Sequence, residues 1–380
     1  MLSKWTKPTA QEVSKSLIVL FFGCVLALLL AEGILRIYNP FEFRVKSNKI
    51  ILPANKTYIV HNPENPNVAL RHTKNKLGFR GPDLPTKNLT PLFSIVSVGG
   101  STTECFYQSD DQAWPYLLSK KLDPFFINLW LNNAGLDGHS TFGHLILLND
   151  YLIKLDPKVV LFLVGINDVG LVVDSSQAAN EYRTGIHFDS FENFFKSICA
   201  YSETASLILN LSRYWRAKVT GRTHEPLALT LLLHQSADPL SVKTTLKLHT
   251  LNYIPGYKAR LLALIKICRE HAIVPIFVTQ PYLLGDGIDP LTGVNLKTIQ
   301  TTEGPGDLLW KTLELYNNTL RQLCLDQHVY FIDLAHKLPK NSLYFYDAMH
   351  FTSKGSAQVA RIIESDLTPY LKRKFPAYIK

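Results

Sequence analysis

From residue 93 onward, short apolar runs alternate with longer stretches in which apolar residues recur at helical spacing. Phe93 to Val98, Ile127 to Leu131, Val159 to Val164, Val274 to Val278 and Val329 to Ile332 have strand length and are largely β-branched or aromatic. Trp114 to Leu122, Gly143 to Leu155, Tyr257 to His271, Leu308 to Gln327 and Ser353 to Leu371 carry the period of helices packed on one side. A run that is apolar throughout is buried on both faces, and strands joined by helices pair in parallel. The pattern predicts an α/β domain over residues 92–375, three layers deep (α/β/α), with a five-stranded, mostly parallel sheet.

Three segments fall outside that alternation. Leu17 to Ala31 is an uncharged apolar run of 15 residues, and Ile34, Leu35, Ile37 and Tyr38 extend it past Glu32 and Gly33. A helix of roughly 20 residues crosses a bilayer, so residues 16–38 predict a transmembrane signal anchor behind a short basic head, residues 1–15. Glu32 and Arg36, four apart, fall on one helical face and are placed to pair at the membrane boundary, with Tyr38 at headgroup level. A cleaved signal peptide is the rival reading, although no A-x-A-like site follows the run. Lys4, Lys7 and Lys15 precede the run and Arg36, Arg44, Lys46 and Lys49 follow it, so charge counting does not set the orientation. A single anchor with a short basic head places the bulk of the chain outside the cytoplasm, as a single-pass protein of the cell membrane.

Residues 39–91 are rich in Asn, Pro and Lys without a sustained period and read as a linker and irregular entry to the domain. Residues 171–256 are too long for a plain crossover between the third and fourth strands. They read as a helical insertion whose apolar pieces, Phe191 to Ile198 and Ser206 to Trp215, either cap the site or pack on the flank of the sheet.

With 46% hydrophobic and 19% charged residues, the 380-residue chain has enough apolar surface to form a large core. Its formal charge of +9 comes from scattered Lys and Arg, which argues against a nucleic-acid partner. Cys24, Cys105, Cys199, Cys268 and Cys324 show no CxxC spacing, so no structural metal is expected, and the chemistry read below calls for no organic cofactor. An oxidising compartment would allow one or two disulfides at most.

In open α/β sheets, ligands bind beyond the carboxyl ends of the strands. After the first strand comes Gly99-Gly100-Ser101-Thr102-Thr103, where two glycines permit a tight turn that leaves Ser101 near a helix N-terminus. After the second lies Asn133-Ala134-Gly135-Leu136-Asp137-Gly138, and after the third Gly165-Ile166-Asn167-Asp168. Asp347-Ala348-Met349-His350 precedes the last helix. Each block alone has a plain explanation as a helix start, a loop or a structural Asp-His pair.

Together and in this order the blocks resemble those of the SGNH, or GDSL-like, hydrolase family, in particular membrane-anchored bacterial members that open with GGSTT. The resemblance runs from about Phe93 to Leu371. It implies the flavodoxin-like SGNH fold, Ser101, Asp347 and His350 as a catalytic triad, and an oxyanion hole made by the backbone N–H groups of Ser101 and Gly138 and the side-chain amide of Asn167. Gly100 stands where the family's name has Asp, a departure that leaves the serine in place. The residue types suit the chemistry: a serine hydroxyl needs an imidazole to take its proton and a carboxylate to fix the imidazole tautomer.

The reading that follows is a membrane-anchored serine esterase acting through an acyl-Ser101 intermediate on an acyl-ester substrate, a cell-surface glycan or a lipid. An O-acyltransferase with the same triad and a catalytically idle glycan-binding scaffold remain as alternatives. His139 and His144 lack metal-spaced partners and read as satisfied histidines. Cys105 is expected beneath Ser101, Asp168 beside Asn167 as an orienting or capping residue, and Asp333 as a strand-end polar residue or substrate contact.

Overall fold

The computed structural model describes residues 9–41, 45–46, 49–63, 65–85, 89, 91–171, 191–219 and 224–380. The chain forms two compact units, Met1–Ile51 with Tyr182–Arg216, and Leu52–Glu181 with Ala217–Lys380.

In the smaller unit, α1 (Ala10–Ile37) contains a 25-residue stretch, Val13–Ile37, whose most apolar 18-residue window has a mean hydropathy of 2.6 and is not buried. It is long and apolar enough to cross a membrane. Arg36 Nε donates to Glu32 Oε1 at 2.8 Å, the expected pairing. The same carboxylate also accepts from the N–H groups of Glu203 (3.1 Å) and Thr204 (3.0 Å) and from the Ser202 hydroxyl (2.8 Å). These are free donors at the start of the helix Glu203–Val219, so Glu32 caps a helix some 170 residues away in sequence. The helices Phe191–Cys199 and Glu203–Val219, within the stretch 171–256 read from the sequence as a helical insertion, group with this unit. The Phe191 side chain, Lys4, Lys7, Arg44 and residues 172–190 and 220–223 lie outside the described residues.

The larger unit opens with an antiparallel hairpin, β1 (Lys56–Asn62) and β2 (Asn65–Lys74). This corrects the expectation of an irregular segment over 39–91. The period-2 signal is there, with Leu70, His72 and Lys74 buried and Ala69 and Arg71 exposed between them. Two of those buried positions are polar, which hides the alternation from a hydrophobicity reading.

The main sheet consists of β3 (Phe93–Gly99), β4 (Leu129–Asn133), β5 (Val159–Val164), β6 (Val274–Thr279) and β7 (Phe331–Ile332). All neighbours are parallel, in the order β7-β6-β5-β3-β4. The main helices of this unit are α2 (Ser101–Glu104), α3 (Trp114–Leu122), α4 (Thr141–Leu147), α5 (Ile254–Glu270), α6 (Gly306–Asp326) and α7 (Ser353–Lys374). Alternate strand residues face opposite ways. Ile95, Leu131, Leu161 and Ile276 join one core with Trp114 and Leu118 of α3 and Val359 and Ile363 of α7. Val96, Val160, Phe162 and Phe277, between them along the strands, are fully buried on the other face, toward α4 and α5. The Phe162 and Phe277 rings stack there with centroids 5.2 Å apart. This is the three-layer α/β/α arrangement, with strand ends shifted by one or two residues from the sequence pattern. All five cysteines are free thiols.

Two buried imidazoles carry a consequence for stability. Burial, with Arg80 and Lys74 nearby, lowers His72 to a pKa of about 3, and burial with His139 nearby does the same for His144. The unfolded chain protonates these rings below their ordinary value of 6.5, while the folded chain refuses the proton. Stability is therefore present above pH 6.5 and is lost as pH falls, by about 2 kcal/mol for each ring between pH 7 and 5. Denaturant unfolding of wild type and of the His72→Gln and His144→Gln variants across that range checks this. Each variant is expected to have the shallower acid dependence, and identical slopes would contradict it.

Candidate active site

The site gathers at the carboxyl ends of β3, β4 and β5. The backbone turns directly from β3 into α2, a helix of only four residues, all of them buried. So short a helix leaves nearly all of its carbonyls without an internal partner, and burial removes water as the alternative. Side chains from distant segments satisfy them. Trp114 Nε1 donates to the Thr102 carbonyl (2.9 Å), Asn133 Nδ2 to that of Thr103 (2.7 Å), and Arg80 Nη1 to those of Glu104 (2.8 Å) and Cys105 (2.6 Å). Arg80 Nη2 pairs with Asp110 at 2.9 Å, and Thr73 donates its N–H and its hydroxyl to the same carboxylate. Lys74 and Glu104 form a fully buried ion pair at 2.8 Å. Glu104 in turn accepts the Asp137 N–H at 2.6 Å, which ties the loop after β4 to α2.

Against this support Ser101 meets His350 and Asp347. His350 Nε2 lies 2.7 Å from Ser101 Oγ, and His350 Nδ1 lies 2.5 Å from Asp347 Oδ2. The N–H groups of Met349 and His350 donate to the other carboxylate oxygen, Oδ1, at 2.8 and 2.7 Å. Burial pushes the Asp347 carboxyl up, but the adjacent His350 and these hydrogen bonds outweigh it and hold the group below its ordinary value. An ionised Asp347 only accepts, so the imidazole proton sits on Nδ1 and Nε2 is left to accept from the serine hydroxyl. All three residues of the expected triad are thus brought together.

The other expected site residues come from the loops after β4 and β5. Asn167 Nδ2 donates to the His139 carbonyl at 3.0 Å, which fixes the amide plane next to the Gly138 turn. Gly138 itself has φ +72°, a left-handed conformation that suits glycine. A Cβ at Gly100 would lie 2.3 Å from Asn167 Nδ2, so the absence of a side chain at position 100 is what lets the amide approach the serine turn. Asp168 accepts from the Thr141 hydroxyl (2.5 Å) and from Arg260 Nη2 (3.0 Å), and so ties the Asn167 turn to the start of α4. Cys105 is buried, ends α2 in a left-handed conformation, and its thiol is pushed up to about 11 by burial. Asp333 is engaged by the Thr279 hydroxyl (2.9 Å) and Arg321 (2.8 Å), a structural strand-end pairing.

Sequence reasoning missed Lys74, Arg80 and His224. The first two arrive on or just after the unexpected hairpin, Arg80 to serve mostly backbone carbonyls and Lys74 a carboxylate 30 residues on, so no nearby complementary residue announces them. The His224 ring lies 4.1 Å, centroid to centroid, from that of His350, and its Nδ1 is 2.9 Å from the Tyr346 hydroxyl. His224, Asp347 and His350 each offer a ligand atom within 4.8 Å of the others, a metal-compatible spacing. Both nitrogens of His350 are already engaged, one by Asp347 and one by Ser101, so the donor set suits proton transfer better than metal binding.

The model of the GDSL-like Lipase/Acylhydrolase family matches residues 97–358, well over half of the chain. The chain belongs to that family and is a carboxylic ester hydrolase of the SGNH type. No curated protein matches it. Among solved structures it is similar to Axe2, an acetylxylan esterase from Geobacillus stearothermophilus, at 14% identity and a TM-score of 0.41, covering 72% of this chain and 92% of that one. A putative GDSL-like lipase from Parabacteroides merdae matches at 12% identity and a TM-score of 0.39, covering 72% of this chain and 95% of that one. A putative lipolytic protein of the G-D-S-L family from Desulfitobacterium hafniense matches at 13% and 0.37, covering 72% and 99%.

The contact between Gly100 and Asn167 generates a test. A methyl group at position 100 would lie 2.3 Å from Asn167 Nδ2 and 3.1 Å from the His139 carbonyl oxygen, so Gly100→Ala is expected to fold with a modest drop in melting temperature. It displaces the Asn167 amide, and kcat on an activated acetate ester is expected to fall about 10²-fold with KM nearly constant. Unchanged kcat would remove Asn167 from the chemistry.

Proposed function

We propose that this chain is a membrane-anchored serine esterase that removes short acyl groups from a cell-surface substrate through an acyl-Ser101 intermediate. The observation that carries the reading is the unbroken chain from Ser101 Oγ to His350 Nε2 (2.7 Å) and from His350 Nδ1 to Asp347 (2.5 Å). His350 takes the serine proton as Oγ attacks the acyl carbon and returns it to the departing alcohol, and Asp347 holds the ring and balances the imidazolium. The N–H groups of Ser101 and Gly138 and the Asn167 amide stabilise the oxyanion, the last with its plane already set by the His139 carbonyl. Water then repeats the sequence on the acyl-enzyme.

The size of the acyl group is argued from the cavity beside Ser101, which Thr102, Cys105 and Phe351 help to line and which is about 10 Å³ in volume. A space of that size has room for a group about as large as a water or a methyl, which favours acetate over a fatty-acyl chain. The anchor is argued from α1, whose 25-residue, largely apolar stretch Val13–Ile37 suits a bilayer, and the extracytoplasmic placement from its short basic head.

Two measurements test these claims. Ser101→Ala is expected to abolish turnover of p-nitrophenyl acetate without unfolding the protein, and for the wild type kcat/KM should fall at least about tenfold from acetyl to octanoyl esters, a difference of about 1.4 kcal/mol. Substantial activity in the variant, or a preference for the long chain, would refute the corresponding claim. The full-length protein is also expected to remain in the membrane pellet through alkaline carbonate, and its release intact would refute the anchor.

A further inference from the structure

We propose that His224 and Asp137 form the alcohol side of the site and recognise a free hydroxyl next to the esterified one, the pattern of a sugar ring. The inference rests on the triad reading above and adds the substrate class to it. His350 must deliver its proton to the departing oxygen, so that oxygen lies within hydrogen-bonding reach of Nε2. Whatever the oxygen is attached to then passes His224, whose ring centroid is 4.1 Å from that of His350.

His224 is held in place rather than draped over the site. Its Nδ1 meets the Tyr346 hydroxyl at 2.9 Å, the Leu227 N–H donates to the Tyr346 carbonyl at 2.8 Å, and Leu229, two residues further, is buried in the main core. With Nε2 turned toward the Asp137 carboxylate, Nδ1 accepts from the Tyr346 hydroxyl and the His224 proton sits on Nε2. That nitrogen lies 3.6 Å from Asp137 Oδ1, and the two side chains are 16% and 42% exposed, so solvent and substrate reach the pair. The spacing is beyond a direct hydrogen bond. It is bridged by a group that accepts from Nε2–H and donates to a carboxylate, and a hydroxyl does both. The Tyr107 ring, 4.7 Å from that of His224, offers a flat surface beside the pair, suited to the C–H face of a sugar. Asp137 precedes Gly138, and its N–H is held by Glu104, so the carboxylate is fixed to the same loop as the oxyanion donor.

The test uses the full-length protein in detergent micelles and two methyl glycoside monoacetates, one with a free hydroxyl next to the ester and one with hydrogen in its place. Wild type is expected to favour the hydroxyl compound about tenfold in kcat/KM, the effect of one hydrogen-bonded group. His224→Ala and Asp137→Ala should each abolish that preference. The double variant should lose no more than either single one, because one hydroxyl serves both partners. His224→Gln, which keeps a donor near Nε2, should restore part of it. No preference in the wild type, or the same preference in all variants, would overturn the proposal while leaving the triad intact. Failure of the triad reading shows separately, as p-nitrophenyl acetate turnover that survives in Ser101→Ala.

Discussion

The site depends on burying a four-residue helix whose polar ends find no partner within the helix. α2 places Ser101 at the end of β3, but four residues cannot satisfy their own carbonyls, and an unpaired buried carbonyl costs about 1–3 kcal/mol. Trp114, Asn133 and Arg80 meet that requirement from three separate segments. The Lys74–Glu104 pair neutralises the one charge the helix carries, and Glu104 hands the same constraint on to the loop of Asp137 and Gly138. A buried pair of this kind is weak evidence for stability but a strong constraint on position, since removing either partner strands a charge. The serine turn and the loop after β4 are therefore fixed to one another by chemistry that touches no substrate.

The hairpin β1–β2 acquires its role from this requirement. Its buried edge carries His72 and Lys74, and Arg80 follows directly after it. An amphipathic hairpin would have been read from its apolar face. This one puts polar groups inward because what it covers is an array of carbonyls and a carboxylate. A similar logic places Asp168 and Arg260 on the other side of the site, where they fasten the Asn167 turn to α4.

What was legible in the sequence were features that a strand end or a period encodes locally. The five runs became the five strands of the sheet because each is apolar on both faces. The four blocks were legible because glycines, Asn and Asp-x-x-His follow strands or precede a helix in a fixed order. Arg80 and Lys74 were not, because Arg80 serves mostly backbone carbonyls and Lys74 a single carboxylate, all of them distant in sequence. The capping of Glu203–Val219 by Glu32 escaped for the same reason, and with it the grouping of residues 182–216 with the N-terminal helix. His224 lies in a stretch without period or motif, and only the fold brings its ring against that of His350.

The central claim is that Ser101 carries the acyl group between the two halves of the reaction. Acid quenching of the enzyme during turnover of p-nitrophenyl acetate, followed by peptide mapping by mass spectrometry, tests it most directly. The account predicts an acetyl group on Ser101, at higher occupancy in an Asn167→Ala variant if that substitution slows deacylation more than acylation, and absent in Ser101→Ala. Turnover with acetate on another residue, or with no acylated peptide under conditions where the p-nitrophenol burst equals the enzyme concentration, would contradict it.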